Sequence, residues 1–102
     1  MKKYNKLVRD KIPEIIKNKG EFSKTHIATD DEYWQLLLTK LNEEAEEYSK
    51  DPNLSELADI LEVINAIIEF KNVDINELEK LRLKKKEDRG GFSNRIVLEE
   101  AD

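Results

Sequence analysis

The sequence predicts an all-α fold, a four-helix antiparallel bundle, and three observations lead to that prediction. Apolar residues recur three and four positions apart in three segments, as they do along one face of a helix, and a fourth segment follows a capping pattern. Residues that cap helix N-termini stand before two of these segments. The connections between segments are short, which favours antiparallel neighbours, and a chain of 102 residues suits a single domain over 1–102.

The first two helices are predicted at residues 10–18 and 30–50. Gly20 follows the first segment and is a natural stop, because glycine adopts the left-handed conformation that ends many helices. Thr29 and Glu32 form a capping-box pattern, in which the side chains bond free backbone N–H groups of the first turn. The second helix should therefore begin at about residue 30.

The last two helices are predicted at residues 53–71 and 75–88. The turn at 51–53 contains a proline and separates the second helix from the third. Asp74 and Glu77 repeat the capping-box pattern before the fourth helix.

Two segments outside the helices contain β-branched residues. They are residues 22–28 and 92–98. β-branched side chains favour extended backbone, because the helix restricts their χ1 angle. We expect the two segments to pair as a minor β-ribbon beside the bundle.

The composition limits both the core and the partners of the chain. Apolar residues make up 38% and charged residues 40%, so one copy can bury only a modest core, and we expect a homodimer or homotetramer. The net charge of −5 argues against binding of a nucleic-acid polymer, which normally needs a basic surface. Charged residues interrupt the most apolar stretch, so no membrane span is expected, and the lack of cysteine fits a cytoplasmic protein.

Two pairs of acidic residues fall on the inner side of the second and third helices. At about 100° per residue, Glu44 lies at the edge of the apolar stripe and Glu47 lies further round the same flank, whereas Glu43 projects outward. In the third helix, Glu56 projects in line with the apolar face and Asp59 borders it. Both pairs have the spacing i, i+3 and lean toward the core.

A tight turn makes these two helices antiparallel, so the two acidic pairs can face each other. Carboxylates that are brought together away from water repel one another and are costly to desolvate. Either their pKa values rise or divalent cations lie between them. Oxygen ligands without helical histidine or cysteine suit a hard ion, Mg²⁺ first and Mn²⁺ second.

A purely structural explanation also exists for these acidic residues. Runs of charge on a helix usually form a solvated face. Glu56 has the position of the third residue in a capping box begun by Asn53, and Glu44 can pair with Lys40 one turn earlier. The same spacing on two neighbouring helices nevertheless favours a metal site.

The acidic residues resemble the signature of a known family. The segment 40–47 (KLNEEAEE) followed by 56–59 (ELAD) is similar to the E-x-x-E…E-x-x-D motif of the MazG-like all-α nucleotide pyrophosphohydrolases. That group includes the phosphoribosyl-ATP pyrophosphohydrolases of histidine synthesis. The opening at 4–12 and the segment 89–92 resemble a compact subgroup, so the resemblance covers most of the chain.

The resemblance implies a helical bundle that oligomerises and acts in nucleotide-pool housekeeping. Its reaction would be hydrolysis of the bond between the α- and β-phosphates of a nucleoside triphosphate, which yields a nucleoside monophosphate and pyrophosphate. By position in the motif, the residues that would hold Mg²⁺ are Glu44, Glu47, Glu56 and Asp59. Glu43 is an extra carboxylate that would position or activate water.

Basic residues are candidates for binding the outer phosphates of the substrate. Arg9 and Lys11 precede the first helix, where they either close the cleft of a partner subunit or simply lie on the surface. The other candidates lie one turn before the acidic motif or along one face of the fourth helix: Lys40, Arg82, Lys85, Lys86 and Arg89. The structural alternative for the fourth helix is favourable positive charge at a helix C-terminus.

Three other functions compete with a general triphosphate pyrophosphohydrolase. The first is hydrolysis of phosphoribosyl-ATP. It ranks below hydrolysis of general nucleoside triphosphates, because the Lys-Leu-Val-Arg-Asp-Lys opening departs from the pattern of the histidine-pathway enzymes. A di-iron or di-manganese bundle needs Glu-x-x-His pairs, which this sequence with its single histidine does not contain. A non-enzymatic helical interaction module stays open, although four inward carboxylates would strain a protein that binds no metal.

Overall fold

Four α-helices and no β-strand make up the secondary structure of residues 2–102, which are the residues that a computed structural model describes. The helices are α1 (Ile12–Asn18), α2 (Asp30–Lys50), α3 (Leu54–Phe70) and α4 (Ile75–Arg89). The all-α class is therefore confirmed, and each predicted helix bound lies within two residues of the observed one. None of the helices in the described part of the chain combines the length and the apolar character needed to cross a bilayer.

Side-chain caps fix where three of the helices begin. The hydroxyl of Thr29 accepts a hydrogen bond from the backbone N–H of Glu32 at 3.3 Å, and Asp74 Oδ1 accepts one from the N–H of Glu77, also at 3.3 Å. In the first turn of α3, Oδ1 of Asn53 accepts a hydrogen bond of 2.9 Å from the backbone N–H of Glu56. Each contact satisfies a donor that the helix itself leaves free, which confirms the predicted N-terminal caps.

The expected β-ribbon is wrong, since neither 22–28 nor 92–98 forms a strand. The second segment begins with a turn, in which the backbone N–H of Arg95 bonds the carbonyl of Phe92 at 3.0 Å. Arg95 also has a φ of 59°, in the left-handed region. A left-handed residue breaks the alternation of a strand, so only three residues remain for pairing, too few for a stable ribbon.

The chain divides into two compact units, Met1–Ile67 and Ile68–Asp102. The first unit contains α1, α2 and most of α3, and it carries the acidic motif. Within it, α2 and α3 are joined by residues 51–53 and lie against each other as a helical hairpin. The second unit contains the end of α3, α4 and the C-terminal tail.

The core of the described chain is small. Leu37 on α2 and Val63 on α3 are the only apolar residues that are buried among residues 2–102, with 3% and 8% of their surface exposed. The apolar side of α3 is largely uncovered in a single copy, because four of its residues are exposed: Leu54, Leu57, Leu61 and Ile64. Periodicity identifies the apolar face of a helix, but it does not show that another element covers that face.

Candidate metal centre

Three carboxylates from two helices meet inside the α2–α3 hairpin. Glu44 comes from α2, whereas Glu56 and Asp59 come from α3, one turn apart. One oxygen of each residue lies within 4.8 Å of the corresponding oxygens of the other two. Glu44 is buried, with 6% of its surface exposed, and the other two are half-buried. We call these three residues the acidic cluster.

Two oxygens of the acidic cluster have no hydrogen-bond partner in the part of the chain that the structure describes. They are Oε2 of Glu44 and Oε2 of Glu56, and both atoms are buried. Buried polar atoms in proteins are almost always satisfied, because leaving one unpaired typically costs about 1–3 kcal/mol. The acidic cluster therefore contains two unsatisfied carboxylate oxygens, and carboxylate oxygens are the ligands that hard divalent cations prefer.

Glu56 shows the electrostatic strain of this arrangement. Burial raises the pKa of its carboxyl group above the usual value of 4.5, since the charged form is partly desolvated. The negative charges of Glu47, Asp59, Glu44 and Asp51 raise the same pKa further, in that order. A bound cation would act in the opposite direction on all of these groups.

The two remaining carboxylates of the motif lie at the margin of the acidic cluster. Glu47 is exposed and outside the three converging residues, although its charge is the strongest electrostatic influence on Glu56. Glu43 was expected to project into solvent, but it is half-buried. The reason is a pair of lysines, since Oε1 of Glu43 lies 3.4 Å from Nζ of Lys6 and 3.6 Å from Nζ of Lys40.

Two cations contact the acidic cluster directly. Nζ of Lys40 lies 3.2 Å from Oε1 of Glu44, one helical turn away, so the ion pair weighed as a structural alternative is present. Nη2 of Arg9 donates a hydrogen bond of 2.7 Å to Oδ1 of Asp59, from a position 50 residues earlier in the chain. The N-terminal segment therefore lies across the acidic cluster.

A cavity of about 120 Å³ opens beside the acidic cluster. Its lining comes from three elements: Leu7 and Arg9 of the N-terminal segment, Tyr33, Leu37, Lys40 and Glu44 of α2, and Asp59, Glu62, Val63 and Ala66 of α3. The four α2 residues are spaced i, i+4, i+7 and i+11, so they share one helix face. That spacing is the signal by which the sequence could have revealed Tyr33, which we did not predict.

The predicted phosphate-binding residues of α4 belong to the second compact unit. The guanidinium of Arg82 is held by Glu79, one turn earlier, through Nε and Nη2. This hydrogen bond lowers the pKa of the Glu79 carboxyl and raises the pKa of Arg82. The pair is more than half exposed, so it contributes little to stability.

The other predicted cations are exposed on the surface of the described chain. They are Lys11, Lys85, Lys86 and Arg89, and none of them forms an ion pair with another residue in 2–102. An exposed, unpaired cation is available for an anion, but its exposure does not identify the ligand. Their role in phosphate binding remains a prediction from the sequence.

The known proteins that resemble the chain do not establish its family. No protein-family model and no solved structure matches it. A stretch of 41 residues, 40% of the chain, is 49% identical to an uncharacterized protein of Mycolicibacterium smegmatis. The stretch covers 42% of that protein's length, so the similarity carries no activity or partner over to this chain. The resemblance to the MazG-like pyrophosphohydrolases stays a prediction.

Proposed function

We propose that this chain is a magnesium-dependent nucleotide pyrophosphohydrolase, which cleaves nucleoside triphosphates to nucleoside monophosphate and pyrophosphate. The observation that carries the proposal is the pair of buried, partnerless oxygens on Glu44 and Glu56, two residues that meet Asp59 between α2 and α3. The carboxylates of a solvated surface patch would all be exposed to water. Glu44, in contrast, has only 6% of its surface exposed.

The residues present fit the chemistry of a hard divalent cation. The donor set consists of carboxylate oxygens alone, which suits Mg²⁺, with Mn²⁺ as the substitute. Glu44, Glu56 and Asp59 would hold the ion, and Glu47 would complete the set by a change of rotamer. When bound, Mg²⁺ would supply positive charge that stabilises the phosphates and would lower the pKa of a water molecule.

The neighbouring cations Lys40 and Arg9 would bind the substrate as well as the carboxylates of the protein. Lys40 and Arg9 neutralise Glu44 and Asp59 in the structure, so part of the charge of the acidic cluster is balanced before a cation arrives. If a divalent ion neutralised those carboxylates, the side chains of Lys40 and Arg9 would be free to bind phosphate oxygens. Glu43, at the margin of the acidic cluster, would accept a proton from water.

The cavity beside the acidic cluster sets the size of the group that it receives. Its volume of about 120 Å³ is far below the roughly 300–1,000 Å³ of complete small-molecule sites. An apolar cavity of about 150 Å³ accommodates benzene, so this one takes at most a single ring of the substrate. Tyr33 and Leu7 would contact that ring, and the remainder of the nucleotide would lie outside the cavity.

A non-enzymatic interaction module is the competing function, and one observation favours it. Lys40, Lys6 and Arg9 already pair with acidic residues of the motif, so the site is partly neutralised without metal. In that alternative, the ion pairs would only fix the N-terminal segment to the hairpin. The two partnerless oxygens would then have no function.

Release of pyrophosphate tests the proposal directly. The full chain is incubated with a panel of nucleoside triphosphates and with phosphoribosyl-ATP, first with Mg²⁺ and then with a chelator. We expect metal-dependent release of pyrophosphate together with the monophosphate. A preference for phosphoribosyl-ATP would select the histidine-pathway alternative, and no release from any substrate would favour the interaction module. A homodimer or homotetramer and a cytoplasmic location remain predictions of the sequence.

A further inference from the structure

The N-terminal segment crosses the α2–α3 hairpin, although it belongs to no helix. Nζ of Lys6 lies 3.4 Å from Oε1 of Glu43 on α2, and Nη2 of Arg9 donates a hydrogen bond of 2.7 Å to Oδ1 of Asp59 on α3. Both contacts lie within the first compact unit. We call residues 6–9 the strap, because its two ends are held by different helices of the hairpin.

The strap forms one wall of the cavity beside the acidic cluster. Leu7 and Arg9 line the cavity, whereas Val8 between them does not and is 43% exposed. Leu7 is half-buried, and it is the only residue of 2–10 that is not exposed. An apolar side chain held between two ion pairs therefore covers the cavity.

The cavity that the strap covers is too small for a complete nucleotide. Its volume is about 120 Å³, whereas small-molecule sites in proteins measure roughly 300–1,000 Å³. Among the described residues that line it, only those of the strap lie outside a helix. The other walls are α2 and α3, which carry the buried core residues Leu37 and Val63. Displacement of the strap would widen the cavity and leave that core packed.

The contact that holds the Arg9 end of the strap uses a carboxylate of the proposed metal centre. Asp59 is one of the three converging acids, and another of them, Glu44, has a buried oxygen without a hydrogen-bond partner among the described residues. A divalent cation between these oxygens would repel the guanidinium of Arg9, and this repulsion would exceed the small attraction of an exposed ion pair. Arg9 and the cation therefore compete for the same carboxylate.

We propose that the strap closes the cavity of the metal-free protein and opens when a divalent cation binds the acidic cluster. Opening frees Arg9 from Asp59 and withdraws Leu7 from the cavity, so the cation binds before the nucleotide. The ion pair of Lys6 with Glu43 lies outside the acidic cluster and keeps the strap near the hairpin. This inference rests on the proposed metal centre and adds a control of access to it.

Alkylation of a single thiol measures the opening of the strap. The chain has no cysteine, so Leu7→Cys places one thiol in the half-buried wall, and Val8→Cys is the matched control at an exposed position. Saturating Mn²⁺ should accelerate alkylation of Leu7→Cys at least about threefold and change that of Val8→Cys by less than about 1.5-fold. Electron paramagnetic resonance follows Mn²⁺ binding in the same samples. Binding without acceleration overturns the strap and leaves the metal centre standing, whereas absence of binding overturns both.

Two substitutions separate the ion pair from the cation. Asp59→Ala removes the partner of Arg9, so Leu7→Cys in this background should react at least about threefold faster even in chelator. Glu62→Ala is the matched control, because it removes a carboxylate that lines the same cavity but forms no ion pair among residues 2–102. Equal rates in the two backgrounds contradict the strap.

Limited digestion of the wild-type chain covers the possibility that a variant fails to fold. Trypsin binds the side chain of the arginine after which it cleaves, and Asp59 holds that of Arg9. Cleavage after Arg9 should therefore accelerate at least about threefold in Mg²⁺. Cleavage after the exposed Arg95 should keep its rate, because Arg95 lies in the second compact unit and forms no ion pair in the described chain. Unchanged cleavage after Arg9 in protein that binds Mn²⁺ overturns the proposal.

Discussion

The two sides of the α2–α3 hairpin reverse the usual distribution of polar and apolar side chains. On the inner side, Glu44 is 6% exposed beside the buried Leu37, whereas on the apolar side of α3 Leu61 is 57% exposed. Water normally surrounds a glutamate, and a leucine normally packs in the core. Each side chain is in an environment that is unfavourable for the isolated chain.

The reversal shows that each side lacks a partner of a different kind. The inner side has more negative charge than its lysine and arginine neighbours neutralise, and a small cation would remove that excess. The exposed leucines of α3 have no charge to satisfy, and contact with other hydrocarbon would remove their surface from water. Places where a sequence departs from the ordinary rules of burial are the places to look for function.

The largest expected effect distinguishes two glutamates of the same helix. Glu44→Gln removes a ligand from the acidic cluster, so hydrolysis should fall by more than about 100-fold, since even the loss of an outer-shell partner typically costs 10–100-fold. Glu46→Gln changes a glutamate whose side chain is 69% exposed, two residues away, and should leave the rate within about twofold. Pyrophosphate release under saturating Mg²⁺ measures both, and equal rates for the two variants would remove Glu44 from the site.

Truncation of two leucines compares the two sides in terms of stability. Leu37→Ala leaves a cavity in the small core and should lower the free energy of unfolding by about 2–5 kcal/mol. Leu61→Ala should cost less than about 1 kcal/mol in dilute protein, and more as the concentration rises, because the contacts of Leu61 would form only in the expected homo-oligomer. Urea unfolding at two protein concentrations measures both. A Leu61→Ala effect that is independent of concentration would argue against an intermolecular contact at Leu61.

Arg9 competes with a cation for Asp59, so its removal should tighten metal binding. Exposed ion pairs are worth about 0.2–1 kcal/mol, which corresponds to a gain of up to about fivefold in Mn²⁺ affinity for Arg9→Ala. Lys11→Ala is the control, because it also removes one positive charge and lies two residues from Arg9. The side chain of Lys11 forms no ion pair among residues 2–102. Weaker metal binding in Arg9→Ala would show that Arg9 supports the site rather than competing for it.

The smallest expected effect concerns the dependence of stability on pH in metal-free protein. The pKa of Glu56 is raised in the folded state, so the fold binds its proton more tightly than the unfolded chain does. The stability contribution of Glu56 is therefore lost as the pH rises from the unfolded value of about 4.5 through the folded pKa. Glu56→Gln should unfold at a higher temperature than the wild type above that window and at the same temperature below it. A variant that is less stable at neutral pH, in the presence of chelator, would contradict this sign.

Local patterns predicted the helices, because each bound depends on neighbouring residues. Thr29 and Asp74 cap the helices that follow them, and the turn at 51–53 separates α2 from α3. The prediction of a β-ribbon failed because β-branched residues indicate only a preference for extended backbone. They do not reveal the turn at Phe92 or the left-handed backbone of Arg95.

The acidic cluster was predictable only in part, since it depends on contacts between distant residues. The spacing of Glu44, Glu56 and Asp59 gave their common direction from helix periodicity alone. Arg9 contacts Asp59 across 50 positions from a segment outside the helices, which has no periodicity that would reveal the contact. The prediction that Glu43 projects outward was wrong for the same reason, because Lys6 in that segment forms an ion pair with it.

Binding of Mn²⁺ to the wild-type chain tests the central claim most directly, because it needs no knowledge of the substrate. Titration followed by electron paramagnetic resonance should show saturable binding that Mg²⁺ displaces, that Glu46→Gln retains and that Glu44→Gln loses. Absence of Mn²⁺ binding by the wild-type protein would contradict the proposal that these buried carboxylates form a metal centre. Mn²⁺ binding by Glu44→Gln that is as tight as binding by the wild type would contradict it too.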